Sequence, residues 1–281
     1  MLIFNRGFEF AMGLLYLVIM PAVFAQNISD RQLAVDLTNP LAKIITVPFT
    51  FSYTPNINPN NTGNALAMVV QPLIPIRINP GWYVISRTVL PVIRKTNIFP
   101  ASGSQFGLGD TLQNFFLAPN KKSGELLWGV GPTILIPTNT GQLLGASRWA
   151  LGPGGVLIKI TGPWTVEVLV NHIWSGKGGG SPHSLSFTRA LSKVAYATKN
   201  AWSLKLEVDP TYDWEASLKV VPITFSLNKV LRIGKQPIGM GASIQYFIPT
   251  YSEGPKGFGA GVNITLLFPN CVGWGKKDRE C

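Results

Sequence analysis

The chain has 281 residues, of which 46% are hydrophobic and only 13% are charged, and its formal net charge is +11. Beyond residue 25, no uninterrupted apolar run approaches the roughly 20 residues that a membrane-spanning helix needs, which argues against a helical bundle in the membrane. The basic residues are spread singly, without a zinc-finger, helix-turn-helix or RNA-recognition motif, so nucleic acid is not an expected partner.

The N-terminal residues have the features of an export signal. Arg6 precedes an apolar stretch over residues 11–20, and the small-residue site Val23-Phe24-Ala25 follows it. We therefore predict a cleaved signal peptide over residues 1–25. A retained transmembrane anchor is the alternative, but the apolar stretch is short for that role.

Residues 26–45 are predicted to form a periplasmic leader. Asn39 followed by Pro40 fits the N-cap and first position of a helix, so we expect a short helix over residues 40–45. Such a helix could plug or brace the periplasmic mouth of a barrel. A disordered leader is the alternative, because terminal segments are often not tied down.

Residues 46–268 repeat one pattern, in which segments of about ten residues alternate apolar side chains with polar or small ones. Clusters of Gly, Pro, Asn and Ser separate these segments. The final segment is the clearest, and its apolar face consists of Phe258, Ala260, Val262, Ile264, Leu266 and Phe268. Strands of this kind face lipid on one side and a polar lumen on the other, so we predict an all-β fold, a transmembrane antiparallel up-and-down β-barrel. Its twelve strands are expected at about 46–54, 64–78, 82–94, 106–118, 125–137, 147–160, 164–175, 185–198, 201–213, 217–232, 237–249 and 257–268.

The connections between these strands differ in length at the two ends of the predicted barrel. With both termini in the periplasm, the periplasmic turns are short and span residues 79–81, 119–124, 161–163, 198–200 and 233–236. The connections at the other end are mostly longer and span residues 55–63, 95–105, 138–146, 176–184, 214–216 and 250–256. This asymmetry is typical of outer-membrane barrels. The predicted location is therefore the bacterial outer membrane, with its lipids and lipopolysaccharide as neighbours.

Several strands separate their polar and apolar faces clearly enough to predict which side chains line the lumen. Trp164 and Trp174 lie at opposite ends of one apolar face, as girdle residues at the two membrane interfaces would. The candidate lumen-lining residues are Thr165, Glu167, Asn171, Lys205, Glu207, Asp209, Ser243, Gln245, Asn263 and Thr265. Strands 82–94 and 185–198 give no assignment, because both carry Arg or Lys.

No catalytic site, cofactor site or metal site is predicted. The two histidines, His172 and His183, are separated by a glycine-rich loop, with the cysteines far away, so a metal site is not expected. His172 falls on the predicted outward face, whereas Asn171 points to the other face. The nearby Ser175 therefore does not complete a hydrolase triad.

Both cysteines, Cys271 and Cys281, lie in a predicted periplasmic tail over residues 269–281. In an oxidising periplasm they could close a small loop, and free or intermolecularly paired thiols are the alternatives. The closing strand ends on Phe268, as terminal strands of outer-membrane barrels tend to, so we expect the barrel-assembly machinery to recognise it. Because of the tail, that signal would act from an internal position.

Several longer motifs carry a family resemblance. They lie at residues 107–119 (GLGDTLQNFFLAP), 127–138 (LWGVGPTILIPT), 162–166 (GPWTV), 171–175 (NHIWS), 211–214 (TYDW) and 233–237 (IGKQP). In these motifs the chain resembles the bacterial meta-pathway phenol-degradation proteins, which are often labelled transporter or neuromedin U, over residues 39–269. The resemblance implies an outer-membrane barrel and no catalytic residues. Residues 176–198 match that family poorly, and the tail extends past its usual end.

These observations predict a channel through which small molecules pass passively, with aromatic or other hydrophobic compounds as the expected solutes. Selection would depend on lumen width and on the inward polar residues. A non-conducting structural or adhesion barrel is the alternative, because twelve strands lie near the size where side chains can still close the lumen. A lipid hydrolase around His172 is the third hypothesis. If the net positive charge reaches the lumen, the channel should prefer anions.

Overall fold

The computed structural model describes residues 29–99, 102–120, 126–176, 184–234 and 236–268. These residues form a closed antiparallel β-barrel of twelve spanning strands with one short helix near the N-terminus, which confirms the predicted fold class. None of them forms a helix long and apolar enough to cross a membrane. The predicted signal peptide and the tail with both cysteines lie outside the described residues.

The twelve spanning strands are built from fifteen strand segments, because three of them are each interrupted for two residues. The interruptions fall between β2 and β3, between β5 and β6, and between β11 and β12. The helix and strands are α1 (Asp30–Asp36), β1 (Ile45–Ile57), β2 (Gly63–Val70), β3 (Leu73–Asn79), β4 (Trp82–Thr96), β5 (Ser104–Leu108), β6 (Thr111–Pro119), β7 (Leu126–Ile136), β8 (Ala150–Thr161), β9 (Trp164–Ser175), β10 (Leu185–Ala197), β11 (Trp202–Val208), β12 (Thr211–Asp213), β13 (Leu218–Ile233), β14 (Gln236–Ile248) and β15 (Gly257–Phe268).

Pairing between the first and last strands closes the barrel. β1 and β15 run antiparallel, with Ile45 opposite Phe268 and Tyr53 opposite Ala260. In lipid no water can satisfy a free strand edge, so this closure is what allows the sheet to span a membrane. The N-terminal residues and the short turns lie at the same end, which is the periplasmic end in barrels of this kind. The role of Phe268 as an assembly signal stays a prediction.

The outer face carries an apolar belt bounded by aromatic side chains. Trp164 and Trp174 are exposed at the two ends of β9. At about 3.3 Å per residue and a tilt of roughly 40°, the stretch between them spans about 25 Å, the height of an outer-membrane apolar band. The ammonium group of Lys229 lies 4.9 Å from the centroid of the Trp202 ring, so its charge reaches the interface rather than the lipid. The belt agrees with the predicted location in a bacterial outer membrane.

The position predicted for the leader helix is wrong. Residues 40–44 form turns and bends, and the helix is α1, at Asp30–Asp36. Ser29 is its N-cap, and its side chain accepts a hydrogen bond from the Gln32 amide. The Asn39 side chain instead accepts from the Leu41 amide, a local turn that competes with helix formation.

The leader and the periplasmic half of the wall share one apolar core. Leader residues that are buried in it are Leu33, Ala34, Val35, Leu41, Ala42 and Ile44. Wall residues that contact them include Ile85, Phe116, Val156, Ile158, Leu169 and Leu267. A barrel of this size has an interior that strand side chains alone fill incompletely, and the leader occupies that space.

The backbones of β8 and β9 approach each other closely at Gly152. A Cβ atom at this position would lie 1.8 Å from the carbonyl oxygen of His172, far inside van der Waals contact. Glycine is therefore required where these two strands meet. Gly155 lies on the same strand, but a Cβ atom there would meet nothing closer than 3.9 Å.

Replacing Gly152 with alanine should destabilise the barrel by roughly 2 kcal/mol, because the added methyl group forces the backbones of β8 and β9 apart. Urea unfolding in lipid vesicles, followed by the shift of the folded band on unheated gels, measures the effect. The control, Gly155→Ala, should remain within about 0.5 kcal/mol of the parent protein. Equal stabilities for the two variants would contradict the close approach.

Candidate channel lumen

Nine of the ten candidate lumen-lining residues lie in strands, and Asp209 lies between β11 and β12, but their surroundings differ. One group lines a cavity in the middle of the barrel and comprises Glu167, Lys205, Glu207, Ser243, Gln245, Asn263 and Thr265. Thr165 and Asn171 are instead packed in the wall, each 1% exposed. Asp209 pairs with Arg189. Sequence alternation thus indicates the face on which a residue lies. Whether that residue lines the cavity, packs in the wall or forms an ion pair depends on its neighbours.

The cavity has a volume of about 240 Å³. Its floor at the periplasmic side is the leader, through Asp36, Leu37, Asn39 and Pro40. Burial raises the pKa of the Asp36 carboxyl, and a hydrogen bond from Gln32 partly opposes that rise. The leader therefore forms part of the site and does not merely precede the barrel.

Two ion pairs order the charged wall of the cavity. The Arg189 guanidinium donates to both carboxylate oxygens of Asp209, at 2.7 and 2.5 Å. Lys193 pairs with Glu167, which is its cross-strand partner on β9. The side chains of all four residues are mostly shielded from solvent. Such pairing offsets part of the cost of removing charges from water.

A buried polar network holds a further cation, Arg87. Its guanidinium donates to the Asn114 side-chain oxygen at 3.0 Å. The Asn114 amide nitrogen donates to Thr133 at 2.6 Å and to the Asn171 oxygen at 3.2 Å. Gly154 makes room for the network, since a Cβ atom there would lie 2.5 Å from the Thr133 hydroxyl. The network fixes the guanidinium beside the cavity without a carboxylate.

The opposite wall of the cavity carries short neutral polar side chains. They come from β1, β13, β14 and β15 and comprise Thr46, Thr50, Thr224, Ser226, Ser243, Gln245, Asn263 and Thr265. Small side chains on these strands leave the space that the cavity occupies. The lumen is thus asymmetric, with a packed charged side and an open neutral side.

Few polar contacts attach the leader to the barrel wall. The hydroxyl oxygens of Thr38 and Thr165 lie 3.0 Å apart. At the periplasmic rim, Asp30 accepts from Arg232 at 2.6 Å in a pair that is well exposed. No strand pairing joins residues 29–44 to the wall, among the pairings of the described residues. Apolar packing is therefore the main force that holds the leader.

A second segment narrows the lumen at the long-loop end. The loop over residues 137–149 packs on β5, where a Cβ atom on Gly107 would lie 1.9 Å from the Thr140 hydroxyl. Lys95 donates to the Leu143 carbonyl at 2.7 Å, and the Asp110 carboxylate accepts from the Ala146 amide at 2.5 Å. These contacts hold the loop against the inner wall.

His172 lies on the outer face, as predicted, and its surroundings resemble an interfacial cluster more than an active site. Its Nδ1 atom lies 2.8 Å from the Thr188 hydroxyl, which also accepts from the Trp214 indole at 2.8 Å. Its ring packs against Trp174, with centroids 5.3 Å apart. Ser175 makes no hydrogen bond with it in the described part of the chain. His183 lies outside the described residues.

Sequence reasoning missed three basic residues that face the cavity, namely Arg87, Arg189 and Lys193. On β10 the signal was present, because the even-numbered residues from Ser186 to Tyr196 carry no charge. Placing that face outward directs Arg189 and Lys193 inward. On β4, Arg87 and Arg94 lie on opposite faces, so alternation alone does not show which of them points inward. Arg94 lies near the end of the strand, where a long side chain can reach the membrane interface, and this position assigns Arg94 to the outer face.

No protein-family model and no curated protein matches the chain. Solved structures do match. An outer membrane channel from Pseudomonas putida F1 superposes with a TM-score of 0.61 at 16% identity, covering 80% of this chain and 94% of that one. The outer membrane phospholipase A from Escherichia coli gives a TM-score of 0.44 at 12% identity, covering 79% and 95%. The beta domain of a Bordetella autotransporter gives 0.40 at 12%, covering 80% and 100%. At these identities the likeness to the channel concerns the fold, and the two weaker matches carry no argument about activity.

Replacing Asp209 with asparagine should destabilise the barrel by about 2 kcal/mol or more, because the Arg189 guanidinium is left in the wall without its carboxylate. Urea unfolding in vesicles measures the loss. Asp30→Asn is the matched control, since it breaks the exposed pair with Arg232, and it should cost less than about 1 kcal/mol. A loss for Asp209→Asn no larger than for Asp30→Asn would show that the inner pair contributes no more than a surface one.

Proposed function

We propose that this protein is an outer-membrane channel through which small molecules pass passively. The observation that supports it best is the set of charged side chains around a cavity in the middle of the barrel. Charges there are costly unless water or counter-charges reach them, and a passage through the barrel would supply that water. Its fold, which a solved outer-membrane channel shares, is compatible with this proposal.

The proposed passage requires movement of the leader. Residues 29–44 fill the periplasmic half of the lumen, and the floor of the cavity is formed by Asp36 to Pro40. The apolar contacts and few side-chain hydrogen bonds that hold the leader can break without disturbing any strand ladder. We therefore propose that the channel is closed with the leader in place and opens when the leader leaves the lumen.

The proposed solutes are small aromatic or other hydrophobic compounds. The apolar leucines beside the cavity and the resemblance to phenol-degradation proteins both favour them. The cavity volume of about 240 Å³ suits solutes well below the size of typical drug-like ligands.

A non-conducting structural barrel is the second candidate, and one observation favours it. Buried apolar side chains of the leader and of the wall form one cluster in the periplasmic half of the barrel, as in the core of a domain. Conduction separates the two candidates, because a permanently packed leader passes no solute. The hydrolase hypothesis has no such support, since His172 contacts Thr188 and Trp174 rather than a serine nucleophile.

A disulfide between leader and wall should abolish conductance. The Thr38 and Thr165 hydroxyls are 3.0 Å apart, so sulfur atoms at these positions can reach bonding distance. In a protein with Cys271→Ser and Cys281→Ser, the pair Thr38→Cys and Thr165→Cys should close the channel when oxidised. Reduction should restore unit conductance in planar bilayers, because the leader is then free to move.

The control for this disulfide is the single variant Thr165→Cys in the same background. It should conduct equally with and without reductant. Formation of the disulfide is verified by mobility on a non-reducing gel. If the oxidised, fully cross-linked protein conducts like the reduced one, the leader does not gate the passage.

The open channel should prefer anions. The cavity wall carries Arg87, Arg189, Lys193 and Lys205 as cations against the carboxylates of Glu167, Glu207 and Asp209, and Asp36 departs with the leader. Lys205→Gln should therefore lower chloride selectivity in reversal-potential measurements across a potassium chloride gradient. Lys229→Gln, on the outer face, should leave the selectivity unchanged. A cation-selective parent channel would refute this prediction.

A further inference from the structure

Two of the cations at the cavity have no carboxylate partner in the described part of the chain. Arg87 is 3% exposed, and its one hydrogen bond with the described residues goes to the neutral amide of Asn114. Lys205 makes no ion pair with any described residue, whereas Arg189 and Lys193 on the neighbouring strand are both paired. Buried charges are normally paired with an opposite charge. Among the described residues, these two cations therefore face the cavity without a carboxylate in ion-pair contact, although Asp36 and Glu207 line the same cavity.

Neighbouring charges act on both groups. Arg189 repels Arg87, and the carboxylates of Glu167, Asp209 and Glu207 attract it. Lys193 repels Lys205, and Glu207 and Glu167 attract it. An anion in the cavity would relieve both repulsions and would occupy guanidinium donors that Asn114 leaves free, since the guanidinium has five N–H donors.

The cavity also has an apolar side next to these cations. Leu73 is the cross-strand partner of Arg87, and Leu191 lies between Arg189 and Lys193 on β10. Both line the cavity together with Leu37 of the leader. The volume of about 240 Å³ lies below the range of roughly 300–1,000 Å³ that is usual for pockets of drug-sized ligands, so a small solute is expected.

We propose that the cavity is a binding site for small monocarboxylates with a short apolar body. The carboxylate is held by the unpaired cations Arg87 and Lys205, with neutral hydroxyl donors on the facing wall. The apolar body lies against Leu37, Leu73 and Leu191. This inference rests on the proposed channel function, for which it names a solute class.

Calorimetric titration of the full mature protein in detergent tests the proposal, with benzoate as the probe. Benzamide has nearly the same shape without the charge, and inorganic phosphate has charge without an apolar body. Benzoate should bind saturably at one site per chain, and both comparison molecules should bind at least roughly tenfold more weakly. Equal binding of benzoate and either comparison molecule would overturn the proposal.

Variants then locate the site. Arg87→Gln should weaken benzoate binding by roughly tenfold or more, whereas Arg94→Gln, on the outward face of the same strand, should leave it unchanged. The shift of the folded band on unheated gels shows that each barrel is intact. If Arg87→Gln fails to fold, Ser243→Asp places a repelling carboxylate in the cavity and should weaken binding equally. Unchanged benzoate binding in a folded Arg87→Gln or Ser243→Asp variant would overturn the assignment.

Equilibrium binding in detergent does not depend on conduction, so this experiment separates the two proposals. Binding without conductance would refute the channel and leave the carboxylate site. Conductance without benzoate binding would refute the carboxylate site and leave the channel.

Discussion

The rest of the structure depends on the closure of the sheet by pairing of β1 with β15. In lipid, every backbone N–H and C=O group needs a partner within the protein, so a spanning sheet must close on itself. Closing twelve strands creates an interior that wall side chains fill only in part. The function of the barrel then depends on what fills this interior, namely the apolar leader and a group of charged side chains.

The interior differs between its periplasmic end and its middle, and in the middle it differs between two sides. Toward the periplasm, the leader supplies the apolar side chains that complete a core with residues such as Phe116 and Ile158. In the middle, Arg87 and the ion pairs of β9 to β12 form a charged side that faces short neutral side chains. The cavity lies between these two sides, and the small side chains of the neutral side leave the room that it occupies.

Much of the barrel could be predicted from the sequence, because the alternation of faces has a strict period of two and the turns carry strong local signals. The ten candidate lumen-lining residues were predicted from that alternation, and their role in a lumen stays a prediction. The leader helix was misplaced, because Asn39-Pro40 is a common helix start and here makes a local turn, whereas Ser29 supplies the actual cap. The role of Arg87 could not be predicted, because its partners on β6, β7 and β9 meet only when the barrel closes.

The central claim is that the leader blocks the lumen reversibly, and that small solutes pass through the lumen when the leader has left it. Single-channel recording of two refolded chains in planar bilayers tests it most directly, one being the mature chain and the other the same chain without residues 26–44. The account predicts that the mature chain is mostly closed, with brief openings, and that the shortened barrel has a steady unit conductance. A correctly folded shortened barrel that passes no ions would contradict it.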